Sequence, residues 1–463
     1  MKFVIPFLLF LAIVSTSSAQ NQAQSSAPLE LFADGETVCF LGDSITAGGY
    51  VQTLISDYYL TRFPNRTVKF VNAGRSGDTA RGSLNRLKED VIDKAPTAVA
   101  IMFGMNDVGR GYYVKDAGEA QIARQQSALS RYEEKMTELV ARIRSEAGNP
   151  KLIFQTPSPF DETVQLDRDN NQPGCNTGLA NCADIVRTLA KANGAPVIDY
   201  HVPMTALNLA QQKNDPTWTI VGPDRVHPGN PGRLMMAWLF LKAQGAPGLV
   251  SQTVIDAVSG KALETKNVAV NPVEKTARGL SFTSLESALP FAINGVDADF
   301  LALIPVERDL NQQPLSVKGL VEGTYELHID DILIGQFGAK QLGEGINLAQ
   351  YNTTPQYQQA KEVAKLNSQK RNAEAQACSL MNSRRWMQSY YKIDPDDSAA
   401  LQKHIDHFED KKSYSAVMAK RYQREWPNYG KLRKQAIEYE QAAEDARQPV
   451  AHSFTIYKQA ESQ

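Results

Sequence analysis

The chain has 463 residues, 42% of them hydrophobic and 22% charged, with a formal net charge of -2. That length suffices for two or three domains with a substantial core, in the composition of ordinary globular proteins. The balanced charge argues against a global basic field for nucleic acid and against an acidic solvating tail, and four cysteines are too few for a disulfide-built scaffold.

The N-terminus reads as a targeting segment. Lys2 gives a short positive region, Phe3 to Val14 is an apolar run, and Ser17-Ser18-Ala19 fits a small-x-small cleavage site. The run is too short to span a bilayer comfortably, and no cysteine follows the site to carry a lipid anchor. Residues 1–19 are therefore expected to be a signal peptide and the protein to be secreted or periplasmic, with no membrane span after cleavage. An uncleaved anchor or a buried helix is the alternative. Gln20 to Pro28 reads as a flexible leader.

Residues 30–245 alternate strand-like and helix-like patterns. Short β-rich apolar runs fall at Val38–Leu41, Val68–Asn72, Ala98–Phe103, Leu152–Gln155 and Pro196–Asp199. Helical spacing fills the stretches between them, at Val51–Phe63, Ala80–Lys94, Gln125–Glu146 and Ala183–Ala192. Strands apolar on both faces, separated by helices, predict a parallel sheet in a three-layer α/β/α sandwich. The helix Pro231–Ala243 closes it. Cys39 reads as a small core residue in the first strand. Cys175 and Cys182 flank a short polar loop and are expected to pair in an oxidising compartment, two reduced thiols being the alternative.

Residues 246–265 read as a connection. From 266 to 348 the pattern changes to a small antiparallel β module, with strands at Leu280–Phe282, Phe300–Ile304, Leu315–Val317, Tyr325–Ile329 and Ile332–Phe337. Residues 355–460 are rich in Gln, Lys, Glu, Ala and Arg and predict amphipathic helices, broken at Pro395, Pro427 and Gly430. Val363, Leu366, Met381, Trp386, Met387 and Tyr390 are their apolar sides.

The chemistry concentrates where the predicted strands end. The first stops abruptly at Gly42-Asp43-Ser44. A serine hydroxyl is a poor nucleophile unless a base takes its proton. His227 is the candidate base, and Asp224, three residues earlier, can accept from its other ring nitrogen and fix the tautomer. His201 follows the last strand but lacks an acid so placed. The second strand leads into Ser76-Gly77-Asp78-Thr79 and the third into Gly104-Met105-Asn106-Asp107. Loops at the carboxyl ends of neighbouring parallel strands line one crevice. Ser44, Gly77 and Asn106 should therefore converge, the glycine offering a backbone N–H and the asparagine an amide to a tetrahedral oxyanion. A plain turn for Gly77 and a helix cap for Asn106 are the competing readings of each alone.

These four blocks, Gly42-Asp43-Ser44, Ser76-Gly77-Asp78-Thr79, Gly104-Met105-Asn106-Asp107 and Asp224-Arg225-Val226-His227, make residues 35–245 resemble the GDSL, or SGNH, hydrolase superfamily. Ile45 stands where the family's name has leucine. The resemblance implies a flavodoxin-like SGNH fold. It also implies Ser44 as nucleophile and first oxyanion donor, Gly77 and Asn106 as the other donors, and Asp224 and His227 as the rest of the triad. No cofactor is expected. Paired His-Glu spacing and cysteine clusters are lacking, so no metal is expected either.

The expected activity is that of a serine esterase. Export and the tyrosines Tyr50, Tyr112 and Tyr113, which could form a stacking wall for sugar rings, fit an external carbohydrate, and the resemblance, to a family that includes acetyl esterases of decorated polysaccharides, implies an O-acetyl ester on it as the favoured substrate. The competing reading of those tyrosines is simple loop packing. A lipase or arylesterase acting on small or lipid esters is one alternative. A carbohydrate-binding protein with a silent hydrolase domain is another.

Overall fold

The computed structural model describes residues 27–276, 279–409 and 413–460; the expected signal peptide, residues 1–19, lies outside them. Five strands form one wholly parallel sheet: β1 (Thr37–Gly42), β2 (Lys69–Gly74), β3 (Ala98–Met102), β4 (Lys151–Gln155) and β5 (Val197–Ile198), in the order β2-β1-β3-β4-β5. Side chains alternate across a strand, and here the two-residue period separates two cores. Val38, Phe40, Ala98 and Ala100 face the layer formed by helices Tyr50–Arg62 and Asn230–Ala243. Cys39, Leu41, Val99 and Ile101 face helices Glu119–Glu146 and Cys175–Ala192. Both faces being covered explains why the strands read as near-continuous apolar runs.

The chain runs from β1 to β2 on one side, then crosses to β3 on the other. The carboxyl end of β1 is thus a topological switch point, where open α/β sheets leave a crevice. Leu41 pairs with Ala73 and Ile101, and Gly42 with Gly74 and Met102. The three strand ends that carry the signature blocks are level with one another.

Several elements depart from expectation. The helix expected over Ala183–Ala192 begins at Cys175, so the polar loop between Cys175 and Cys182 is helical. The two thiols stand two turns apart, about 10 Å along the axis, too far for a disulfide. Both are free and buried, and burial pushes the Cys175 thiol up to about 12. The helix expected over Ala80–Lys94 is broken into Ala80–Leu84, Leu87–Asp90 and a short 3-10 turn. The break falls at Asn85–Arg86, where Arg86 turns its guanidinium onto the carbonyls of Ala73 and Gly42.

Beyond residue 246 the difference is larger. The stretch read as a connection contains strands Gln252–Asp256 and Lys261–Lys266, the latter fully exposed and therefore without an apolar signal. Instead of one antiparallel module there are two sheets. One has four strands, including the parallel pair Gln252–Asp256 and Pro314–Lys318. The other is antiparallel, and the C-terminal segment His452–Lys458, read as helical, is a strand in its middle, between Thr324–Ile329 and Gly279–Glu286. The sheets share one core, with Ile255 and Val317 from the first and Phe282, Leu327, Phe454 and Ile456 from the second. The expected strand Phe300–Ile304 is instead the helix Ala298–Leu303. Asp297 caps it by accepting from Phe300 N at 2.8 Å, and Phe300 and Ile304, one turn apart, both bury into the core that holds Val38 and Phe40 of β1.

Between the strands lies a helical excursion dominated by Pro355–Trp386 and Tyr429–Ala446. The long helix lies against Tyr50–Arg62, where Asn367 Nδ2 donates to Asp57 Oδ1 at 2.7 Å. Its far end is fastened by Arg75 to Asn382 at 3.2 Å and by Arg385 to Asp90 at 2.8 Å. Val363 and Met387 are buried as expected, but Tyr390 is 71% exposed and forms no apolar side.

Candidate active site

The turn that carries Ser44 follows from two glycines. A Cβ on Gly42 would lie 2.2 Å from Thr46 Oγ1 and 2.6 Å from Met102 O; one on Gly74 would lie 2.2 Å from Ala47 N. Only because both lack it can the short helix Ser44–Ala47 settle onto the ends of β2 and β3. Asp43 caps that helix, its Oδ1 accepting from Ile45 N at 3.0 Å. Burial raises the Asp43 carboxyl to about 6, against the pull of that backbone N–H. Ser44 is thereby presented at the first helical position.

Ser44 Oγ stands 2.7 Å from His227 Nε2, and His227 Nδ1 stands 2.5 Å from Asp224 Oδ2. A carboxylate on Nδ1 requires the proton there, which leaves Nε2 as the acceptor facing the hydroxyl. The other oxygen of Asp224 accepts from the backbone N–H groups of His227 at 3.0 Å and Val226 at 3.1 Å. Burial opposes ionisation of Asp224, but these N–H groups and the imidazole outweigh it and hold its pKa below the usual value. The intervening Arg225 adopts a left-handed conformation, φ 65°, unusual for a residue with a side chain. Its guanidinium anchors the turn from below, donating to the carbonyls of Asp161 and Val164, each at 2.9 Å, and to Asn170 Oδ1 at 2.9 Å.

Gly77 has φ +74°, the left-handed region, with open space where a Cβ would stand; the constraint on it is conformational rather than steric. Its N–H has no acceptor among the described residues. Asn106 donates from Nδ2 to Asp78 O at 2.9 Å, which fixes its amide plane against the Gly77 loop and leaves a second N–H. Asp107 ties that loop from the other side, accepting from Ala80 N at 2.9 Å and Gly104 N at 3.1 Å. Its carboxyl is pushed by burial to about 7.

One residue that sequence reasoning missed holds these loops together. The buried Arg86 donates through Nε to Asp78 Oδ2 at 2.6 Å, through Nη1 to Ala73 O at 2.6 Å and through Nη2 to Gly42 O at 3.2 Å. It thus joins the strand end behind Ser44 to the loop of Gly77.

The tyrosines divide. Tyr113 is 6% exposed and packs on Val108 and Gly178 in the core, so it is no part of a stacking wall. Tyr112 lies over Gly109 with Arg124 5.7 Å from its ring centroid. Tyr50 is 37% exposed, but two guanidinium groups already lie over its ring, Arg233 at 3.6 Å and Arg371 at 4.1 Å.

Comparison with known proteins adds three findings. Residues 40–233 match the GDSL-like Lipase/Acylhydrolase family. An acetylxylan esterase of Geobacillus stearothermophilus is 26% identical over 230 residues, which is 46% of this chain and 94% of that one. The solved structure of BT4096, a gut microbial diltiazem-metabolizing enzyme, is 28% identical, with a TM-score of 0.84 covering 94% of this chain and 100% of that one. The last likeness extends through the two additional sheets and the helical excursion. No described helix is long and apolar enough to cross a membrane.

Proposed function

The chain belongs to the GDSL/SGNH hydrolase superfamily, and from that premise we propose that it is a serine esterase. Ser44 is the nucleophile, His227 the general base and Asp224 the group that orients the imidazole. The observation that carries this reading is the continuous hydrogen-bonded path from Ser44 Oγ through both ring nitrogens to Asp224.

Ser44 Oγ attacks the ester carbonyl as its proton passes to His227 Nε2, and a C–O bond forms on the serine. The carbonyl oxygen becomes an oxyanion, received by the N–H groups of Ser44 and Gly77 and the free N–H of Asn106. The tetrahedral intermediate collapses, the C–O bond to the alcohol breaks, and His227 returns the proton to the departing oxygen. Water, deprotonated by the same imidazole, then adds to the acyl carbon, and as the C–O bond to the serine breaks His227 returns the proton to Ser44 Oγ and the acid leaves.

The substrate we favour is an O-acetyl ester on a carbohydrate. The relative named for acetylxylan supports it over the hydrolase domain. The full-length likeness to a diltiazem-metabolizing enzyme favours a second reading, a small non-carbohydrate ester. Secretion or a periplasmic location belongs to the same proposal, resting on residues 1–19.

Hydrolysis of a generic aryl acetate tests the chemistry. Asn106→Ala should fold and lose about 10²–10³ in kcat, the value of one oxyanion donor; unchanged turnover would remove Asn106 from its role. Acetate release from acetylated xylo-oligosaccharides tests the substrate, and activity confined to long acyl chains would overturn it.

A further inference from the structure

The turn that carries Gly77 is held only at its ends. Asp78 N donates to Arg75 O at 3.2 Å, and Gly77, with φ +74°, sits at the third position, where a type II turn demands a positive φ. Ser76 and Gly77, the tip between those ends, are exposed. A Cβ on Gly77 would meet nothing within 4 Å, so no packing fixes the direction of the Gly77 N–H. Whatever grips Arg75 and Asp78 fixes it instead. Asp78 also governs Asn106, whose Nδ2 donates to Asp78 O at 2.9 Å. Gly77 and Asn106 therefore move together with this one turn.

Two residues near the end of the long helix Pro355–Trp386 reach both ends of the turn. Asn382 and Arg385 are three apart and share a helix face. Asn382 Oδ1 accepts from Arg75 Nη2 at 3.2 Å, the one side-chain hydrogen bond of Arg75 among the described residues. Asn382 Nδ2 donates to Cys378 Sγ at 3.5 Å, which leaves Oδ1 for the guanidinium. Arg385 takes a second path. Its Nη1 lies 2.8 Å from Asp90 Oδ1, Asp90 Oδ2 lies 3.0 Å from Arg86 Nη1, and Arg86 Nε holds Asp78 Oδ2 at 2.6 Å. That path runs inward, from the half-buried Arg385 to the buried Arg86 and Asp78, where a low dielectric strengthens each ionic hydrogen bond. Without Arg385, Asp90 can rotate and Arg86 loses the fixed end of its path. A contact that merely fastened the helix could fall anywhere on the hydrolase surface; these two fall on the residues that bracket Gly77.

We propose that Asn382 and Arg385 are positioning residues for the oxyanion hole. The helical excursion clamps the first and last residues of the turn 75–78, and so aims the Gly77 N–H and the Asn106 amide at the place where the oxyanion forms. The proposal rests on the esterase reading and deepens it, since residues outside the hydrolase domain then help to set turnover. Donors stabilise an oxyanion only if they are in place before the charge develops. A misplacement of about 1 Å, caused far from the chemistry, can cost about 10²-fold in rate.

The test uses the full chain with an aryl acetate. Asn382→Ala and Arg385→Gln should each lower kcat about tenfold while KM changes less than about twofold, and the two together should lower it about 10²-fold. Arg385→Lys, which keeps a cation for Asp90, should recover most of the loss. In an Asn106→Ala background each change should cost only about threefold, because one of the donors it aims is already gone. Hydrogen–deuterium exchange supplies a readout independent of turnover. Peptides covering residues 75–78 should exchange at least about fivefold faster in the double variant, while those of β1 and β3 keep their protection. Unchanged kcat in both single variants, a loss that multiplies in full with Asn106→Ala, or unaltered exchange over residues 75–78 overturns the proposal. A lower melting temperature with kcat and exchange intact overturns it too, and makes the two residues fasteners of the helix. If the wild type hydrolyses no aryl acetate, the esterase reading falls and the oxyanion role falls with it, while the exchange still decides whether the excursion clamps the turn.

Discussion

In the proposed mechanism Ser44 is reactive only insofar as His227 can take its proton, and His227 can do so only while Asp224 keeps the ring turned and the Nδ1 proton in place. Asp224→Asn preserves shape but can stabilise the wrong tautomer, so kcat on an aryl acetate should fall by about 10²–10⁴ with the melting temperature nearly unchanged. A fall of less than about threefold would mean that the acid is not used. Arg86 makes a different prediction. Replacing it with Met leaves Asp78 buried without its cation and frees the Gly77 loop, with a stability cost of about 3–5 kcal/mol, and kcat should fall even in molecules that remain folded. Urea unfolding with an active-site titration separates the two effects. The sequence announced Ser44, Gly77, Asn106, Asp224 and His227 because each sits at a place the backbone marks: a strand end, a tight turn, an i,i+3 pair. It was silent on Arg86 and Arg225 because their partners are chiefly carbonyls and carboxylates brought near only by folding. It misjudged Tyr113 because adjacent tyrosines say nothing about which one turns inward.

Among elements, the parallel strands were legible because burial on both faces leaves short apolar runs bounded by turns, and register then brings the three loops to one edge. The helix over Cys175–Ala192 was shortened in the reading because Asn176, Thr177, Gly178 and Asn181 are poor helix formers; tertiary contact with Tyr113 and Val108 overrides that preference. The strand Lys261–Lys266 was missed because an exposed edge carries no alternation. The packing of Tyr50–Arg62 against Pro355–Trp386 has its own consequence. Asp57 is buried there, and burial raises its carboxyl from the ordinary 3.8 to about 7, despite the hydrogen bond from Asn367. A carboxyl raised in the folded state binds more protons folded than unfolded across that interval. Its contribution to stability is therefore present at low pH and is lost as pH rises toward 7. Asp57→Asn keeps an acceptor for Asn367 and removes the titration. The variant should gain in melting temperature over the wild type at about pH 8 and not at about pH 4; an equal difference at both would contradict the assignment.

The molecule as a whole is closed by its last strand. The chain leaves the β region at residue 348, makes the helical excursion, and returns to place His452–Lys458 between two strands laid down more than a hundred residues earlier. The alternation of Phe454 and Ile456 with polar neighbours was visible, but a single seven-residue run beyond a helical stretch has no partner in sequence to identify it. Truncation after Gln448 should expose Phe282 and Leu327, remove the cooperative unfolding of the β region and strip support from the long helix; a truncated chain with an unchanged melting curve would contradict this. The proposed mechanism requires the imidazole of His227 to activate the hydroxyl of Ser44. Its most direct measurement is peptide mapping by mass spectrometry after reaction with a fluorophosphonate. One adduct is expected, on Ser44, lost in His227→Ala while that variant remains folded. An unmodified Ser44 in the native protein, or labelling that persists without His227, would contradict it.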